Sequence, residues 1–188
     1  MAKQLGFFIE IEKCLGCKSC VVGCKSENNT PVTESFKKAT NWRWVVQRDV
    51  GTFPNPKRVF VTMACFHCAQ PACIPACPVE GAIIKREDDG IVLIDQDKCV
   101  GCRRCEFACP YGAPQMNFET EKVEKCTFCV HRLEAGLNPA CVDTCVGRAL
   151  HFGDMEEIKG KPATVERFDG FADPQLTYPS VRFKLEIG

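Results

Sequence analysis

The sequence predicts an α+β protein of two small modules, one inserted in the other, in which short strands and helical turns surround sixteen cysteines. Three observations carry that prediction. The cysteines number 16 of 188 residues and fall in four tight runs. The segments beside the runs alternate apolar and polar residues in the period of short strands. The connector between the second and third runs reads as a hairpin.

The first run is Cys14-x2-Cys17-x2-Cys20-x3-Cys24, within "CLGCKSCVVGC". The second is Cys65-x2-Cys68-x4-Cys73-x3-Cys77, followed by Pro78. The third, Cys99-x2-Cys102-x2-Cys105-x3-Cys109, is followed by Pro110. The fourth is Cys126-x2-Cys129-x11-Cys141-x3-Cys145. Runs one and three have the spacing of bacterial ferredoxins, and run three has their proline too.

That spacing suits a cubane 4Fe–4S cluster, which offers four iron corners, each wanting one thiolate. Three closely spaced cysteines wrap three corners from one tight loop. The fourth lies past a helical turn and in two-cluster ferredoxins ligates the other cluster. Gly16, Gly23 and Gly101 suit a loop that hugs a bulky ion.

Disulfides fit poorly, because the thiols are too closely spaced to bridge distant loops and the chain shows no secretion signal. Zinc could be held by run four alone. In runs one and three the third cysteine follows too soon for paired zinc knuckles. Four 4Fe–4S clusters are therefore expected.

Crossed ligation requires the runs to pair, and adjacent pairing is the simplest option. The connector "PVEGAIIKREDDGIVLIDQDK" argues for another. It alternates on both sides of "EDDG", a hairpin turn signal, and motif–hairpin–motif is the arrangement of a two-cluster ferredoxin. Runs two and three then form an inserted module over 51–111. Runs one and four form an outer module from 1–50 and 112–188, with strands expected in "LGFFIEIEK", "APQMNFETEKVEK" and "RALHFGD".

Four ligand sets are expected. Cys14, Cys17 and Cys20 join Cys145, and Cys126, Cys129 and Cys141 join Cys24. Cys65, Cys68 and Cys73 join Cys109, and Cys99, Cys102 and Cys105 join Cys77. With a small apolar core, iron–thiolate bonds carry much of the stability, and the apo-chain is not expected to hold the fold.

Lys and Arg together balance Asp and Glu at 24 each, which argues against a nucleic-acid partner. No apolar run approaches the roughly 20 residues that cross a bilayer. The N-terminal stretch lacks the apolar core, cleavage site and twin arginine of an export signal. There is no phosphate loop, nucleotide fingerprint or Ser/His/Asp set, so no catalytic residue is expected. His67, His131 and His151 read as packing or hydrogen-bonding residues. Arg103 and Arg104, inside run three, could raise its cluster's potential, face a partner or be solvated charge. Tyr111 is expected beside the same cluster. Trp42 and Trp44, and the aromatic- and proline-rich stretch "VERFDGFADPQLTYPSVRFKLEIG", are candidate docking surfaces, against the alternative of packing on the protein's own modules.

The segments "GFFIEIEKCLGCKSCVVGCK", "CFHCAQPACIPACPVEGAI", "DGIVLIDQDKCVGCRRCEFACPYGAPQMN" and "KCTFCVHRLEAGLNPACVDTC" resemble the four-cluster iron–sulfur subunit of molybdopterin oxidoreductases, of the dimethyl sulfoxide reductase and polysulfide reductase type. The resemblance covers roughly residues 6–153. It implies an electron-transfer subunit, not an enzyme by itself, that relays electrons between a molybdopterin catalytic subunit (molybdenum or tungsten) and an integral membrane subunit that handles quinone. It also supports pairing run one with four and two with three. The implied location is peripheral, at the cytoplasmic membrane, on a side the sequence does not encode. Val146 departs from the family, which commonly has proline there. The tail is also shorter than in many relatives. Similar subunits serve formate-dehydrogenase and hydrogenase complexes, and a free polyferredoxin is the alternative of another class. Such a carrier is usually strongly acidic, unlike this chain.

Overall fold

A computed structural model describes residues 3–30 and 40–185. Parts of the expected outer module, residues 1–2, 31–39 and 186–188, lie outside the described residues, among them the start of the stretch read for an export signal and the end of the aromatic tail.

The chain opens with β1 (Leu5–Glu10), a 3-10 turn (Ile11–Lys13) and α1 (Ser19–Asn28). A hairpin of β2 (Arg43–Val50) and β3 (Lys57–Ala64) follows, then α2 (Cys73–Ala76). Two small hairpins, β4 (Ile83–Lys85) with β5 (Val92–Ile94) and, after α3 (Arg104–Ala108), β6 (Gln115–Asn117) with β7 (Lys122–Glu124), stand where the alternation placed them. Next come α4 (Val130–Glu134), α5 (Ala140–Asp143), β8 (Leu150–Asp154), α6 (Met155–Lys159), β9 (Thr164–Val165) and, past a 3-10 turn at Pro174–Leu176, β10 (Val181–Lys184). The result is a small protein of mixed helix and strand. The expected boundary between residues 50 and 51 falls in the turn of the β2–β3 hairpin.

The ends of the chain meet in a four-stranded sheet of order β8-β1-β10-β9. β1 runs antiparallel to β8 (Phe7 opposite Phe152) and parallel to β10 (Phe7 opposite Val181). The strand expected in "LGFFIEIEK" is present as β1, and all six of its residues are buried. A central strand with layers on both faces has no exposed side.

Much of the aromatic tail belongs to the core, while Leu176 and Tyr178 stay exposed. Val181 and Phe183 are fully buried. Phe183 meets Phe66, Phe168 and Phe171 edge to face, and Phe171 stacks on Tyr111 with ring centroids 5.0 Å apart. Phe66 lies within run two and Tyr111 just after run three, so the tail fastens the middle of the chain to its ends. Burying such rings contributes about 2 kcal/mol each, and a chain with few long elements gains much from that. Trp42 and Trp44 are half-buried, packed beside Ala64, Cys65 and Cys126. Trp42 donates its indole N–H to Glu124 at 3.2 Å. The tryptophans thus pack on the protein's own core.

Candidate iron–sulfur centres

All sixteen cysteines are free thiols. In run one the backbone turns at Gly16 (φ +66°) and again at Lys18 (φ +62°), and α1 begins at the next residue. Three thiols therefore come from a loop and the first turn of a helix. Run three repeats the device at Gly101 (φ +66°) and Arg103 (φ +63°).

The longer gaps of the other runs have structural causes. Run two carries two extra residues between its second and third cysteines. Its loop reaches the tail, where the amides of Ala69 and Gln70 donate to the carbonyls of Tyr178 (2.8 Å) and Thr177 (3.0 Å). In run four the gap between Cys129 and Cys141 holds α4 and its exit loop. Arg132 clamps this excursion. It donates to the Asn138 carbonyl (2.7 Å), to Asp143 (2.9 Å) and to Glu27 of α1 (3.0 Å). Nothing in the cysteine spacing signals Arg132; its partners lie up to 105 residues away.

The thiols gather in fours. Cys14 lies in the field of Cys20, Cys145 and Cys17; burial is the main reason its pKa rises, and these neighbours add to it. Burial pushes Cys24 up to about 12, opposed by Arg43 and reinforced by Cys141, Cys129 and Cys20. Cys126 is pushed well up, by burial first, with Arg43 opposing and Cys24, Cys141 and Cys65 adding. Cys73 rises to about 12, again through burial, with Cys65, Cys109 and Cys68 as its thiol neighbours. Cys105 rises to about 11 through burial and through Cys99, Cys102 and Cys77. Each group thus holds three thiols of one run and the fourth thiol of another.

A cavity lined by Cys65, Cys68, Cys73 and Cys109, with Phe66 and Tyr111 among its walls, shows one group enclosing a space. Tyr111, expected near Cys99, Cys102 and Cys105, stands instead beside Cys68 and Cys109. The chain turns at Pro110 toward the tail, where the Tyr111 hydroxyl and Thr177 share a 2.9 Å hydrogen bond. Among the described residues no three His, Cys, Asp or Glu side chains stand close enough to hold a single metal ion.

Backbone amides donate to several thiols. Ala149 N–H reaches Cys145 (3.2 Å), Phe128 N–H reaches Cys126 (3.3 Å) and Val123 N–H reaches Cys99 (3.5 Å). Such donors suit sulfur that carries negative charge, and they raise the potential of an iron–sulfur centre. The donor set fits 4Fe–4S clusters: soft thiols, four to a group, which in the group of Cys65, Cys68, Cys73 and Cys109 enclose an apolar space.

The groups follow one another. Cys20 and Cys24 share α1, linking the first group to the second, and Cys126 lies against Cys65, linking the second to the third. Cys73 opens α2 and Cys77 follows its last residue, linking the third to the fourth. Cys17 in the first group and Cys102 in the fourth are exposed, while Cys24, Cys126, Cys129 and Cys141 of the second are buried. Exposed apolar side chains lie near both in sequence: Leu15 and Val22 at one end, Val100 and Phe107 at the other.

The histidines pack and hydrogen-bond. His67 is fully buried and accepts the Val92 amide at 3.0 Å on Nδ1, which places its proton on Nε2. His131 meets Glu27 and His151 meets Glu10, each at 2.9 Å. Arg103, half-exposed, pairs with Glu106 at 2.8 Å.

The sequence matches the family described as a 4Fe-4S dicluster domain over residues 57–155. It is 46% identical over 162 residues to the B subunit of tetrathionate reductase from Salmonella typhimurium, covering 86% of this protein and 62% of that one. It is 38% identical over 188 residues to the B chain of anaerobic dimethyl sulfoxide reductase from Escherichia coli, covering 98% and 90%. The B subunit of sulfite dehydrogenase from Allochromatium vinosum is 38% identical over 169 residues, covering 82% and 70%.

Proposed function

The protein belongs to the 4Fe-4S dicluster domain family, among the iron–sulfur subunits of molybdopterin oxidoreductases, and on that premise we propose that it carries four 4Fe–4S clusters in two ferredoxin-like modules and conducts electrons along them. The observation that carries this reading is the gathering of sixteen free thiols into four groups of three plus one. When bound, each cluster supplies one-electron redox chemistry; the chain spaces the clusters, shields the inner ones and leaves an outlet at each end.

The partners follow from the family. A molybdopterin catalytic subunit docks at the module of runs one and four, beside exposed Cys17. An integral membrane subunit that handles quinone docks at the inserted module, beside exposed Cys102. Apolar side chains at both ends support docking there. No helix among the described residues is long and apolar enough to cross a membrane, which agrees with a peripheral place on the cytoplasmic membrane, held through that partner.

The test has two parts. Anaerobic analysis should approach sixteen iron and sixteen sulfide per chain, four for each cubane; a reproducible half-load completed by zinc would refute the cluster count. In the assembled complex, Cys102→Ser should impair electron exchange with quinol more than with a dye that meets the catalytic subunit. Equal loss with both donors, from a folded and assembled complex, would overturn this orientation.

A further inference from the structure

Arg43 opens β2 with its side chain fully buried. Burying a guanidinium is costly unless charge and hydrogen bonds compensate. Among the described residues no carboxylate pairs with it. Its cation lies 4.7 Å from the centre of the Phe7 ring, and Nη1 donates to the Thr62 hydroxyl at 3.0 Å. Nε and Nη2 are buried without a hydrogen-bond partner. The charges around it are thiols: Cys141, Cys126, Cys20 and Cys24.

Three of these, Cys24, Cys126 and Cys141, belong to the second thiol group. The fourth, Cys20, belongs to the first, and it lies 3.5 Å from the Thr62 hydroxyl. Thr62 accepts from Arg43, so its own proton is free for the Cys20 sulfur, and a relay runs from guanidinium to hydroxyl to thiolate. The hairpin holds both residues in place: Arg43 is opposite Ala64 and Val45 is opposite Thr62, which sets Arg43 and Thr62 diagonally on one face.

A cubane with four thiolates is negatively charged and gains one more negative charge on reduction. A buried cation beside it favours the reduced form, as do hydrogen bonds to its sulfur atoms. We propose that Arg43 is a positioning residue that raises the reduction potential of the cluster held by Cys24, Cys126, Cys129 and Cys141, and that through Thr62 it acts more weakly on the cluster held by Cys14, Cys17, Cys20 and Cys145. The proposal rests on the four-cluster reading. It makes the buried inner cluster of the outer module an electron-accepting step instead of the barrier that desolvation alone would create.

The experiment compares wild type with Arg43→Gln, Arg43→Lys and Thr62→Val in the purified, cluster-loaded protein. Iron and sulfide are counted, and each cluster is titrated by potential-controlled electron paramagnetic resonance. Arg43→Gln should lower the potential of the Cys24 cluster by at least a tenfold change in its reduction equilibrium, about 59 mV for one electron. Arg43→Lys, which keeps the charge, should restore half or more of that shift. Thr62→Val should lower the Cys20 cluster by a smaller amount. The cluster of Cys77, Cys99, Cys102 and Cys105 should not move.

Full iron with all four potentials unchanged in Arg43→Gln overturns the proposal, as does an equal shift of all four. If Arg43→Gln loses iron, Thr62→Val and a wild-type protein labelled with 15N-arginine decide the point. A 15N coupling to the reduced Cys24 cluster that Arg43→Lys abolishes supports the contact, and its absence overturns it. An iron count below four clusters in wild type would instead strike the underlying reading.

Discussion

Run one and run three share one spacing and part ways at the fourth cysteine. Up to that point they are near copies. Gly16 and Gly101 have the same φ of +66°, Lys18 and Arg103 turn left-handed, Cys17 and Cys102 are exposed, and Cys20 and Cys105 are buried. Then Lys25 follows Cys24, and α1 runs on to Asn28 with Cys24 inside it. Pro110 follows Cys109, and α3 stops after Ala108 with Cys109 extended (φ −84°, ψ 115°). Proline disfavours the helical conformation in the residue before it. Cys77, before Pro78, is likewise extended (φ −76°, ψ 125°). The cysteine spacing shapes the loop, and the next residue decides where the chain goes. A continuing helix lets the Lys25 side chain reach the Thr40 carbonyl at 2.8 Å and brings Glu27 to Arg132. A stopped helix sends Tyr111 to the tail.

The comparison breaks most sharply at the two glycines, whose backbones match and whose neighbours do not. A methyl at Gly101 would collide with the backbone carbonyl of Glu121, held in the β6–β7 turn; at Gly16 it would come 2.6 Å from the ring of Phe60, a side chain instead of backbone. Gly101→Ala should cost about 4 kcal/mol, the left-handed penalty plus a clash that cannot relax, and should empty the Cys99 cluster. Gly16→Ala should cost less, about 2–3 kcal/mol, the left-handed penalty plus a contact eased by a shift of the Phe60 side chain. Thermal melts and iron counts on the loaded protein check both; equal losses would show that backbone angle alone matters.

Exchanging the residues after the fourth cysteine should have the next largest effect. Lys25→Pro removes a helical amide and ends α1 early, at a cost of about 3 kcal/mol, and should weaken the hold of Cys24 on its cluster. Pro110→Ala leaves a turn in place and should cost about 0.5–1 kcal/mol, chiefly through the unfolded chain. Denaturant midpoints compared between the two variants test the asymmetry. A Pro110→Ala loss as large as that of Lys25→Pro would mean that the proline, not the helix, organises its run.

The smallest effect is expected where run three has an ion pair and run one has none. Arg103 and Glu106 meet at 2.8 Å on the surface, where run one has Lys18 and Val21. Solvent and salt screen such a pair. Glu106→Gln should leave the melting temperature unchanged at physiological salt. A clear drop would show that this pair braces the loop.

Much of the fold is legible because it is local. Cysteine spacing, glycine turns and period-two alternation act within about ten residues, and they foretell the loops of runs one and three and the small hairpins after Cys77 and Pro114. The ring positions in the tail are visible too, but their destination is not, since strand pairing between β1 and β10 joins residues more than 170 apart. Tyr111 departs from expectation for the same reason: Thr177 and Phe171, which hold it, lie 60 or more residues further on. Arg43 gives no sign at all. In "NWRWVV" it looks like a solvated strand residue, and only the surrounding thiols make it a buried cation.

The sequence by itself determined the metal chemistry, because a thiol's affinity for iron is a property of the residue and its close spacing. The tertiary structure alone decided which aromatic face is covered, where the tail docks and what charge stands beside each thiol group. Burial and electrostatic environment belong to the neighbours of a residue in space, and here those neighbours come from opposite ends of the chain.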